Sequence, residues 1–318
     1  LYTMATLCSI RHLVNTKDEY YSKEQDYWDE TMPKLQVYED RLAKMVLAYP
    51  EREELDIPKT YFALAENAIK VFSEDIIEDL QKENKLTSEY SKLKASAKIE
   101  FEGETYNLAS IATKFNDPDE AIRKGALLAQ TKFYEEHEED FDRILDELVK
   151  VRDKMAKKLG FENYVKMGYL RMNRLDYDEE DVAKYRKAIL ENVTPLCNKI
   201  YNDQAKRLGK ESLKAWDMSY EFKDGNPKPY GDSKELVAKA QKMYREMSKE
   251  TGEFFDMMVD MELFDLETKP NKDMGGFCTT IFDYKVPFIF SNFNGTSGDT
   301  EVLTHEAGHA LQAYLTNQ

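Results

Sequence analysis

Apolar residues recur at helical spacing through most of the first 160 positions. Leu1, Met4, Ala5, Cys8 and Leu13 predict a helix that begins abruptly, with no cap before it. Asp18 to Ala48 predicts a second helical stretch, with Pro33 at the first turn of a new segment, where a missing N–H is tolerated. Phe62 to Gln81 repeats the pattern. Phe141, Ile144, Leu145, Leu148, Val151, Met155 and Leu159 form a helical stripe that ends at Gly160, a C-cap position. Such stripes are core. Two segments break the helical period, and strands are expected only there. Ile99, Phe101, Tyr106 and Leu108 flank Glu102-Gly103, the signature of a tight hairpin. Phe277 to Tyr284 and Val286 to Phe293 are aromatic and β-branched runs joined around Lys285 to Pro287. The polar, Gly/Pro-bearing stretch between Trp216 and Tyr230 reads as a long surface loop.

Composition narrows the class. The 318 residues suffice for one large or two ordinary domains. With only 13 Gly and 9 Pro, long helices are favoured over a many-stranded sandwich. The formal charge of −16 repels phosphate backbones and anionic lipid, so nucleic acid and membrane surfaces are poor partners. Cys8, Cys197 and Cys278 are sparse and include no CxxC pair, which argues against a disulfide framework and for a reducing compartment. Leu1 to Leu13 is mildly apolar but carries no basic leader and no small-residue cleavage site, so it does not read as a signal peptide, and no segment reaches the apolar length of a membrane span.

The chemistry gathers near residue 305. His305-Glu306-Ala307-Gly308-His309 is an HExxH motif. Thr296 or Ser297 is the expected cap, with Asp299 and Glu301 in the first turn. Leu303, Ala307, Ala310, Leu311 and Tyr314 form the inward stripe of that helix. Four residues advance a helix by about 400°, so His305 and His309 project one turn apart from nearly one side. Two imidazoles placed this way meet a single zinc ion at about 2.0–2.1 Å. Glu306 then flanks the ion as a general base for metal-activated water. Gly308, costly inside a helix, is expected at a close packing contact.

The third ligand sets the class of such a site. In the metzincin pattern, Gly and His would stand where Gln312 and Leu315 are found, which excludes that class. The other common arrangement takes a Glu from a later helix, whereas nine residues follow His309, none acidic and none His. His137 lies in an acidic run and reads as a surface residue; His12 sits beside Arg11 with no motif around it. The expectation is a chain that lacks the third ligand.

The run Gly275 to Thr280, through Pro287 to Thr296, into His305 to His309 resembles the M3 family of zinc peptidases, in its oligoendopeptidase F branch. Arg11-His12 with Tyr20 to Glu30, and Asn163-Tyr164 to Asn173-Arg174, extend the similarity over most of the chain. The resemblance implies a mainly α-helical, two-lobed zincin-type fold, with small β-hairpins beside the active-site helix. It implies a cytoplasmic zinc endopeptidase acting on short peptides. It assigns His305 and His309 as metal ligands, Glu306 as catalytic base, and Gly276, Phe277 and Cys278 as substrate contacts on a hairpin edge. The family's third Glu ligand and its downstream His and Tyr have no counterpart here, so the chain reads as a fragment, inactive in isolation. On this reading 1–180 is a helical N-terminal lobe lacking its leading segment, and 181–318 begins the catalytic lobe. The competing reading is a catalytically incomplete helical protein that binds peptide or serves as a scaffold.

Overall fold

The computed structural model describes residues 1–316. In chain order its elements begin with α1 (Tyr2–Val14), α2 (Glu19–Ala48), α3 (Lys59–Lys70) and α4 (Ile77–Ala95). A hairpin of β1 (Ile99–Phe101) and β2 (Glu104–Tyr106) precedes α5 (Glu120–Glu136), α6 (Glu138–Lys158), α7 (Tyr164–Arg171), α8 (Glu179–Ala188) and α9 (Thr194–Leu208). Then come α10 (Ser233–Met247), α11 (Lys249–Asp260) and β3 (Phe264–Glu267). The described chain closes with β4 (Phe277–Ile281), β5 (Val286–Phe293) and α12 (Gly298–Thr316). The fold is mainly helical, with small sheets. Among the described residues no helix is long and apolar enough to cross a membrane.

Two compact units form, each discontinuous in sequence. One gathers Leu1–Gln25, Ser91–Glu138 and the chain from Tyr201 onward; the other gathers Asp26–Tyr90 and Glu139–Ile200. The chain thus passes between units four times, where the sequence-based division has one boundary after residue 180.

The second unit is all helix. Phe72, Ile76 and Leu80 pack with Met155 and Ala156 of α6 and Met167 of α7. Glu83 of α4 meets Arg152 at 2.6 Å and Arg171 at 2.8 Å, and Asp79 meets Lys154 at 2.7 Å. Burial alone would push the Glu83 carboxyl up, but the two guanidiniums outweigh it and hold the group below the usual carboxylate range. Three expectations need correction in this unit. Pro33 does not start a new helix; it lies inside α2. Proline has no N–H for the Asp29 carbonyl four residues earlier, and the Asn84 side chain donates to that carbonyl at 3.0 Å instead. Phe62 to Gln81 is not one helix either, because α3 ends at Lys70 and Ser73 restarts the chain by accepting from Asp75 N at 3.1 Å. In the stripe of α6, Leu145 is 63% exposed; Ile144, Val151 and Met155 are buried as expected.

The first unit carries the sheets. Glu102 and Gly103 turn the β1–β2 hairpin with φ of 51° and 80°, the left-handed pair that a two-residue turn requires. β4 and β5 form the second hairpin, antiparallel, with Phe277 opposite Phe290 and Ile281 opposite Val286. A strand outside the two hairpins corrects the sequence expectation: β3 pairs in parallel with β5, giving the order β3-β5-β4. β4 is therefore an edge strand. Phe254, Phe255 and Met258 of α11, Ile289 and Phe293 of β5, Ile10 of α1, and Leu303, Ala307 and Ala310 of α12 share one core. This core seats α12 on the sheet.

Candidate active site

Leu303, Ala307 and Ala310 are at most 2% exposed, so one side of α12 is fixed against the sheet and the other is left open. The turn before the helix is held by Asp299, which the sequence placed in the first turn. Its buried carboxylate reaches backward and accepts from Asn294 N at 3.0 Å and Gly295 N at 2.8 Å. Burial pushes the Asp299 carboxyl up, and these two N–H donors partly offset it.

His305 and His309 are exposed on the open side. Their Nε2 atoms lie 3.2 Å apart. With both rings neutral, one Nε2–H donates to the other's lone pair. The same spacing suits a shared metal: two ligands of a tetrahedral zinc at about 2.0–2.1 Å lie about 3.3–3.4 Å apart. The pair therefore fits two of the four positions around zinc. Among the described residues no third His, Cys, Asp or Glu joins them. His12 is buried in α1, its Nδ1 3.4 Å from Ser22 Oγ, and His137 is half-buried, its Nδ1 donating to the Phe133 carbonyl at 2.8 Å. His137 thus stays at the surface, as expected, with one face against Phe133.

Glu306 points the other way around the helix from the bulk solvent and is only 7% exposed. It nevertheless borders an open groove of about 440 Å³ between α12 and β4. Gly276, Phe277 and Cys278 line that groove together with Glu306 and His309. A side chain on Gly276 would stand 3.1 Å from Val302 Cγ1, a tight approach, and in ordinary contact with Glu306 Oε1 at 3.8 Å, so the backbone lies close against Val302 because no Cβ is there. Burial first, then the nearby Glu306 carboxylate, pushes the Cys278 thiol up to about 11. Cys278 is a neutral thiol in the groove wall rather than a nucleophile. Gly308 does not occupy a packing contact as expected: a Cβ there would meet nothing within 4 Å.

Thr279, Thr280, Gln312 and Ala313 also line the groove, although the sequence pattern assigns none of them a role at the site. A signal existed for the last two, since positions three and four beyond His309 continue the same helix face.

Residues 115–318 match the model of peptidase family M3, and residues 1–72 match the M3 peptidase N-terminal domain. The chain belongs to peptidase family M3. A Bacillus anthracis str. Ames protein assigned as oligoendopeptidase F superposes with a TM-score of 0.97 at 48% identity. That match takes in 99% of this chain and 58% of the other. PZ peptidase A with an inhibitor superposes with a TM-score of 0.97 at 50% identity, over 98% of this chain and 56% of its own. A Chlamydophila abortus protein assigned as a peptidase, at 14% identity and a TM-score of 0.57, shares the fold over 98% of this chain and 55% of its own. The M3 chain described here thus spans a little over half the length of these structures. No curated protein matches it.

Proposed function

We propose that this M3 chain carries the metal-holding and proton-accepting part of a zinc endopeptidase site for short peptides. The observation that carries the reading is the 3.2 Å approach of the two Nε2 atoms on the helix that also bears the groove-lining Glu306. Membership of the family and the names of the solved relatives support it. His305 and His309 would hold the zinc through Nε2. A zinc ion there acidifies water and polarises a peptide carbonyl. Glu306 takes the proton from the attacking water as the new C–O bond forms, and returns it to the departing amine as the C–N bond breaks. The free edge of β4 receives the peptide backbone by strand addition, with Gly276, Phe277 and Cys278 as its contacts. Cytoplasmic location belongs to the same proposal, supported by three free cysteines.

The test, on the protein at its full length, is zinc titration followed by cleavage of a quenched-fluorescent peptide library. One zinc per chain, lost in His305→Ala, with cleavage of short peptides, is the expected result. Absence of zinc binding by the wild-type chain overturns the reading. The second reading is a peptide-binding scaffold without turnover. Peptide binding without any cleavage, in the zinc-loaded chain, decides for it.

A further inference from the structure

We propose that Asn292 is a positioning residue for the peptide groove, and the proposal rests on the peptidase reading above. Asn292 lies in β5, and its Nδ2 donates to the Asp273 carbonyl at 2.8 Å and the Gly275 carbonyl at 2.9 Å. Two carbonyl partners fix which end of the amide faces them, because only the NH₂ end can donate. The Oδ1 atom is buried with no hydrogen-bond partner among the described residues. The side chain thus leaves its own acceptor unmet while both donors hold one backbone turn.

That turn leads straight into the groove. Gly275 has a φ of 92°, and Gly276 follows it against Val302 and Glu306. The turn is fixed at its start by Asp273 N donating to the Leu13 carbonyl at 2.8 Å, and at its end by Asn292. β4 pairs with β5 only from Phe277 onward, so ladder bonds do not hold Gly275 and Gly276. Asn292 is what keeps this stretch beside Glu306. It acts on the peptide-contacting strand and not on α12, so substrate binding should respond and the histidine pair should not.

The experiment uses Asn292→Asp, which sets carboxylate oxygens against the two carbonyls. Asn292→Ala removes both donors without adding charge and covers the case in which the aspartate variant does not fold. Amide hydrogen exchange is measured first. Exchange at Met274 to Phe277 should rise about tenfold or more, with α12 protection and zinc affinity unchanged. Unchanged exchange there, or a loss spread across the sheet and α12, overturns the proposal. Turnover of the peptide library should then show KM raised about tenfold with kcat within about threefold. A fall in kcat at constant KM also overturns it. If the zinc-loaded wild-type chain cleaves no peptide, the peptidase reading fails, and the exchange measurement alone decides whether Asn292 holds the turn.

Discussion

Gly276 packs against Val302 so closely that a methyl group on it would stand 3.1 Å from Cγ1, with Glu306 Oε1 in ordinary contact at 3.8 Å. Gly276→Ala must therefore shift Val302 or lift the start of β4. The expected cost is about 1–2 kcal/mol in urea unfolding. Peptide turnover should fall about tenfold in kcat/KM, since displacement of an ångström or less at a reacting site is enough for that. Zinc affinity should stay as it was. A variant with unchanged stability and turnover would show that the strand does not pass where the structure puts it.

Glu306→Gln separates proton transfer from metal binding. The amide is close in size but cannot take a proton from water, so kcat should drop about 10²–10⁴-fold, about 3–5.5 kcal/mol of barrier. KM and zinc affinity should change little. His305→Ala should lose zinc and activity together. Near-normal turnover in the zinc-loaded Gln variant would remove Glu306 from the mechanism.

Gly308→Ala fills open space within a helix. It should raise stability by about 0.5–1 kcal/mol, because alanine loses less backbone freedom on folding. Thermal unfolding monitored by circular dichroism checks this. A destabilised variant would mean that something packs against the position after all.

Acid should weaken the second unit through Glu83. Its folded pKa lies below the ordinary 4.5, so its contribution to stability is complete above that value. Stability should fall as pH drops from about 4.5 through the lower folded pKa, and Glu83→Gln should flatten that part of the profile. At neutral pH the same variant should lose about 2 kcal/mol, since the two guanidiniums lose a charged partner. An unaltered acid limb in equilibrium unfolding would assign the acid sensitivity to other carboxylates.

Much of this was legible from residue order because local rules settle it. Glu102-Gly103 can hardly be anything but a two-residue turn, and Gly160 ends α6 with a φ of 83°. His305 and His309 fall on one face from their spacing alone. What the order of residues hid depends on partners far along the chain. Pro33 sits inside a helix because Asn84 serves the carbonyl that proline leaves open. The Phe264–Glu267 strand has only four residues, too few for alternation to stand out after α11. Pairing with β5 makes it a strand. Asp299 looked like an ordinary first-turn acid, yet it is bent back on Asn294 and Gly295, ahead of the helix. Burial of Glu306 beneath a groove followed from no local pattern either, since it depends on β4 crossing α12.

The first helix has a consequence for how the chain comes off the ribosome. Thr3 Oγ1 accepts from Asp283 N at 3.0 Å, and Tyr2 meets the Phe282 ring edge-on, with centroids 6.4 Å apart. These partners are some 280 residues apart in synthesis. At about 5–20 residues per second, the apolar face of α1 waits about 14–56 seconds for the strands that cover it. The second unit, in contrast, has its whole sequence out by Ile200. Its helices can close on one another while Leu7 and Ile10 still lack their cover, a window in which chaperones have something to hold.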